Sequence, residues 1–123
     1  MHRVFGTLGA ISGFIAVAAG AFGAHSLRER LSPDLLTVFE TAARYQIYHA
    51  LALLIVAAAA ARDGFGWALM ASGWLFVAGT VLFSGSLYAL AFSGVRQLGA
   101  ITPLGGLAFL GGWLFLAWSA WRL

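Results

Sequence analysis

The chain contains no cysteine, so disulfides, thiolate metal sites and cysteine nucleophiles are all excluded. Lysine is missing too: the seven basic residues are all arginines, dispersed along the chain. A nucleic-acid binder shows a clustered basic footprint, and none is present, so no nucleic-acid partner is expected. Charged residues make up only 9% of the 123, where an ordinary soluble domain carries roughly a quarter. Proline is scarce, with Pro33 and Pro103 alone to interrupt helices. What fills the space is apolar: 62% of residues are hydrophobic. A spanning helix takes about 20 apolar residues, so four of them consume most of this chain and leave little for a soluble domain.

The apolar stretches fall into four segments. Residues 4–24 carry no charge. Met1-His2-Arg3 resembles the start of a signal peptide, but a signal core runs only about 7–15 residues, so this segment reads as a retained first helix. Ser32-Pro33-Asp34 is a helix start, with Ser as N-cap and Pro in the first helical position. No breaker follows before Asp63-Gly64, and a helix from Pro33 to Ala61 is roughly 43 Å long, against a hydrocarbon core of about 30 Å. Residues 33–44 are amphipathic and are expected at or above the membrane interface, with the span proper at 45–61. The third and fourth spans cover 67–92 and 101–121, and Pro103 falls in a first helical turn, where its missing N–H costs little. Short connections require antiparallel neighbours. The expected fold is therefore all-α: a single polytopic membrane domain, an antiparallel bundle of four transmembrane helices. Gly13 to Leu27 aligned on Gly73 to Leu87 gives a faint internal echo, which so biased a composition explains by chance.

Small residues recur at three- and four-residue spacing. Gly6, Gly9, Gly13, Gly20 and Gly23 form a stripe on the first helix; Ser72, Gly79 and Ser86 mark the third, and Gly105 and Gly112 the fourth. In lipid such stripes let backbones approach, so van der Waals packing replaces the missing hydrophobic drive. Gly13→Leu is accordingly expected to damage folding far more than Leu8→Phe.

Folded back and forth, the segments gather their polar side chains at one membrane face, opposite the termini. His25, Glu40, Tyr45, Gln46, His49, Ser84, Ser86, Tyr88, Gln97 and Thr102 fall there, while all five tryptophans fall in the other half, much as interfacial aromatic belts would place them. Glu40 and Arg44 stand four apart in the order that favours a salt bridge. His49, about one turn below the interface, is expected to face the bundle and to share hydrogen bonds with His25, Gln46 or Tyr45.

The chain resembles the YgdD-like family of small bacterial inner-membrane proteins of unknown function, the domain of unknown function 423 group. The resemblance spans essentially the whole chain. It rests on Gly20-Ala21-Phe22-Gly23-Ala24-His25, on Glu40-Thr41-Ala42 followed by Tyr45 and His49-Ala50-Leu51-Ala52-Leu53, and on Ile101-Thr102-Pro103-Leu104-Gly105-Gly106. It implies four spans in an inner membrane and brings no catalytic residues to carry over.

The leading functional expectation is a non-enzymatic membrane protein whose polar cluster binds a lipid head group, a small ligand or a partner subunit. Membrane lipids are the expected partners, with a second copy or another membrane protein as a further one. Transport of a small solute or ion ranks second, because Glu29, Asp34, Glu40 and Asp63 all lie in loops or near interfaces rather than deep in the membrane. A haem or metal site on His25 and His49 ranks third, since two histidines without a motif spacing imply neither metal nor cofactor. An enzyme ranks last: no serine sits in a recognisable nucleophile context.

Overall fold

The computed structural model describes all residues, 1–123, as four helices long and apolar enough to cross a membrane: α1 (His2–Leu27), α2 (Pro33–Asp63), α3 (Trp67–Ser93) and α4 (Arg96–Trp121). Helix α2 starts as its sequence dictates. Ser32 has extended backbone, its Oγ accepts the Leu35 N–H at 3.3 Å, and Pro33 occupies the first turn. It runs unbroken for 31 residues, so the amphipathic stretch 33–44 is a coaxial extension of the span and not a separate helix. Gly64 (φ 80°) and Gly94 (φ 70°) end α2 and α3 with positive φ, which a residue with a Cβ adopts at a cost. In α4 a 3₁₀ stretch, Arg96–Ala100, precedes the α-helical Thr102–Trp121.

Two helices contain a wide π turn, at Ala18–Gly23 in α1 and Thr80–Ser84 in α3. Both fall within the stretches paired by the internal echo. In α3 the Thr80 hydroxyl donates to the Phe76 carbonyl at 2.8 Å, a back-bond that bends helices.

The helices pack in sequence order: α1 along α2, α2 on α3, and α3 along α4. The outer two, α1 and α4, do not pack along each other. Half of the apolar window of α2 is buried and a third of that of α3, against 17% for α1 and α4, which makes α2 and α3 the central pair. Phe5, Leu53, Val56, Leu69, Phe76 and Phe109 form the main core, and Ala24, Phe39 and Ala91 a smaller one at the end opposite the termini. The exposed large side chains, from Phe14 on α1 to Leu114 on α4, present the apolar girdle that lipid requires.

Glycines admit the close contacts, though not all those of the stripe do so equally. A Cβ on Gly105 would collide with the backbone of Phe83, and one on Gly9 would meet the Ala50 carbonyl at 3.0 Å and Leu53 at 3.1 Å. On Gly112 it would press on the Phe76 ring at 2.7 Å, and on Gly23 on the Phe39 ring at 2.9 Å. Gly6, Gly13 and Gly20 leave room, with nearest contacts of 3.6, 3.8 and 3.8 Å. At Gly13 a methyl is accommodated, while the longer side chain of Gly13→Leu reaches past that contact. Spacing identifies a stripe, while the depth of each approach depends on the opposing side chain.

Candidate functional site

The zigzag leaves α2 and α4 apart, joined by side chains across a gap whose inner wall is α3. His49 projects into it from α2 and is 4% exposed. Its ring stacks on Phe109 of α4, centroids 3.5 Å apart and planes within 5°. Its Nε2 lies 3.1 Å from Trp113 Nε1, and its Nδ1 lies 2.6 Å from the Tyr45 carbonyl oxygen. The indole N–H only donates, so Nε2 must accept and the imidazole proton sits on Nδ1, from which it donates to Tyr45. Both nitrogens are therefore engaged.

This corrects one expectation. His49 lies 16 residues after Pro33 and 14 before Asp63, five residues inside Arg44. Trp113 likewise lies within the middle of α4 and belongs to the histidine's surroundings, not to an interfacial belt.

Outside this gap lies a groove of about 720 Å³, with a lining that is almost wholly apolar. Tyr45 and Tyr48 form its α2 wall, Phe83 its back, Gly106 and Leu110 its α4 wall, and His49 with Trp113 its deep end. Tyr45 packs on Phe83 at 4.8 Å, and Phe83 on Phe109 at 5.4 Å, giving a row of rings along the groove. Gly106 leaves the α4 wall low: a Cβ there would have no neighbour nearer than Phe83 at 4.0 Å.

The remaining polar residues do not form one cluster. They form separate ties between helices. Gln46 Nε2 donates to Ser12 Oγ at 3.1 Å, and the Tyr88 hydroxyl donates to Gln46 Oε1 at 2.7 Å, so one α2 side chain links α1 to α3. The Ser84 hydroxyl donates to the Ala42 carbonyl and the Ser72 hydroxyl to the Gly112 carbonyl, each at 2.8 Å. Ser86 and Thr102 share a hydrogen bond at 2.6 Å between α3 and α4; because Ser86 also reaches the Phe83 carbonyl at 3.0 Å, Thr102 supplies the proton. No buried side-chain nitrogen or oxygen lacks a partner.

Three members of the expected cluster stand apart. His25 is exposed in the last turn of α1 and makes no bond to His49. Gln97 is exposed in the 3₁₀ turn. Glu40 is exposed and does not pair with Arg44; the one ion pair in the molecule joins Arg62 to Asp63 at 3.5 Å. The ionisable side chains do not gather in threes as metal ligands do. Sequence reasoning missed Trp113, Phe109, Phe83 and Ser12. Ser12 was findable, since 12 and 46 are nearly equidistant from the Arg28–Arg30 turn; the aromatic residues carry no such signal.

Comparison with known proteins places this architecture among its relatives. Residues 19–106 match the family described as Protein of unknown function (DUF423). The chain is 45% identical over 122 residues to the UPF0382 membrane protein SH2409 of Staphylococcus haemolyticus, covering 98% of this chain and 97% of that one. It is 47% identical over 119 residues to the UPF0382 membrane protein YwdK of Bacillus subtilis, covering 96% of each. A UPF0382 membrane protein of Haemophilus influenzae is 45% identical over 122 residues, covering 99% of this chain and 97% of that one. No solved structure matches the chain.

Proposed function

The chain belongs to the DUF423 family of membrane proteins, and we propose that it is a non-enzymatic lipid-binding protein of the bacterial cytoplasmic membrane. The observation that carries this reading is the ring-lined groove between α2 and α4. Inside the hydrocarbon boundary the molecules available to fill about 720 Å³ of apolar space are lipid chains. The aromatic row is rigid, so little conformational entropy is lost when a chain settles on it. An all-helical span, as opposed to a barrel, suits a cytoplasmic membrane.

The polar ties support the same reading by what they leave free. Each buried hydroxyl already has an acceptor, and His49 has both nitrogens engaged, so no buried group stands ready as a nucleophile or general base. The carboxylates Glu29, Asp34 and Glu40 are exposed beyond the span, which weighs against proton-coupled transport.

A long-chain fatty alcohol tests the groove, because it brings a chain without a charged head. A bound chain raises the melting temperature of the detergent-solubilised protein in proportion to the logarithm of its concentration. Gly106→Phe fills the groove from a position with room for a side chain, and the variant should melt normally but lose the response. Equal stabilisation of parent and variant would exclude this groove as the binding site.

A further inference from the structure

Helix α2 has a second flank, facing α1, where Glu40 and Arg44 border a separate groove of about 260 Å³. Ala16, Gly20 and Ala43 are the small residues of its lining, and Ile47 extends it toward the hydrocarbon region. The backbones come close here: a Cβ on Gly20 would lie 3.8 Å from that of Ala43. The wide turn Ala18–Gly23 of α1 lies at the same level.

The two charges do not pair with each other. Glu40 precedes Arg44 by four residues, the helical order that favours an ion pair, yet no salt bridge forms between them. Their depths differ. Glu40 lies 23 residues from Asp63, the far end of α2, and Arg44 lies 19 from it. At about 1.5 Å per residue these are roughly 34 and 28 Å, on either side of a hydrocarbon thickness of about 30 Å. With the charged Asp63 end taken as the opposite boundary, the cation sits at the hydrocarbon boundary and the anion one turn farther out.

That order is the order of charges in a zwitterionic phospholipid, whose phosphate lies next to the glycerol and whose ammonium lies beyond it. Arg44 meets the phosphate with planar donors, and Glu40 meets the ammonium as an acceptor. A quaternary ammonium has no N–H to give a carboxylate and is recognised by aromatic cages, and no aromatic ring lines this groove. We infer that the Glu40–Arg44 groove is a head-group site for a phospholipid with a primary ammonium, phosphatidylethanolamine in chemical class. The site shares no residue with the groove between α2 and α4 and does not depend on it.

The test is competition among lipids for the full-length protein, with retained lipid counted by native mass spectrometry after equilibration in an equimolar mixture of phosphatidylethanolamine, phosphatidylcholine and phosphatidylglycerol. The ethanolamine lipid should be retained about five- to tenfold over the other two, as one charge-assisted hydrogen bond allows. Glu40→Gln should reduce its advantage over the choline lipid to near parity, and Arg44→Gln should lower retention of all three. Both side chains are exposed, so both variants should fold. Gly20→Leu should block the groove without altering either charge. An even mixture on the parent, a preference for phosphatidylglycerol, or an ethanolamine preference that survives Glu40→Gln would each overturn the assignment.

Discussion

Trp113→Phe keeps a ring edge against Phe76 but removes the donor that reaches His49 Nε2, leaving a buried acceptor without a partner. A stranded group of this kind costs about 1–3 kcal/mol in water-soluble cores, and hydrogen bonds in membrane bundles average nearer 0.6 kcal/mol. A loss of about 1 kcal/mol is expected in a detergent melt, and much less when Trp113→Phe is made on a His49→Leu background. Additive losses would show that the two side chains do not depend on each other. Glycine substitutions divide at the same scale. Gly105→Ala drives a methyl into the Phe83 backbone, which cannot give way as a flexible side chain would, and should cost about 1–3 kcal/mol. Gly13→Ala meets only ordinary contacts at 3.8 Å and should be close to neutral in the same melt. Equal effects would mean that the helices do not approach as described. The three- and four-residue spacing showed that glycines face neighbouring helices. Which of them touch backbone was not legible, because it depends on whether Phe83 or Ala50 stands opposite.

At the scale of the element, α2 was the most legible part of the chain. Ser32-Pro33-Asp34 and Asp63-Gly64 mark its ends because capping chemistry is local. The π turns were not legible, since a one-residue widening leaves hydropathy unchanged. The turn at Thr80–Ser84 nevertheless sets the phase of the second half of α3. Everything beyond it, including Ser84, Ser86 and Tyr88, is aimed by that extra residue. Inserting one alanine after the exposed Val81 adds a residue that the single π turn does not absorb, and should rotate those side chains by about 100°. The bonds to Ala42, Thr102 and Gln46 would be lost together. At about 0.6 kcal/mol each, the expected destabilisation is about 2 kcal/mol with helix content unchanged by circular dichroism. A lengthened protein that melts like its parent would show the phase set by the π turn to be incidental. Because register after such a turn cannot be read from spacing, the polar residues looked like one cluster in sequence and prove to be separate ties.

For the whole molecule, four antiparallel helices put His2 and Arg122 on one side of the membrane and Arg30 on the other. The absence of native cysteine makes this testable without background. Single cysteines at positions 2 and 122 should react alike with a membrane-impermeant maleimide in oriented vesicles, and a cysteine at position 30 should react oppositely. The grooves follow from the same arrangement. Because α1 and α4 lie on the flanks of a central α2–α3 pair and do not close a ring, each leaves an apolar cleft toward lipid instead of an interior pore. Four spans and their alternation were legible from hydropathy alone, since each span must satisfy its backbone internally. Whether the helices close into a ring or stay open depends on side-chain volumes at α2 and α4, where His49, Phe109 and Trp113 hold the two helices apart. Labelling of positions 2 and 122 from opposite sides would contradict the antiparallel order, and with it the depths assigned to His49, Glu40 and Arg44.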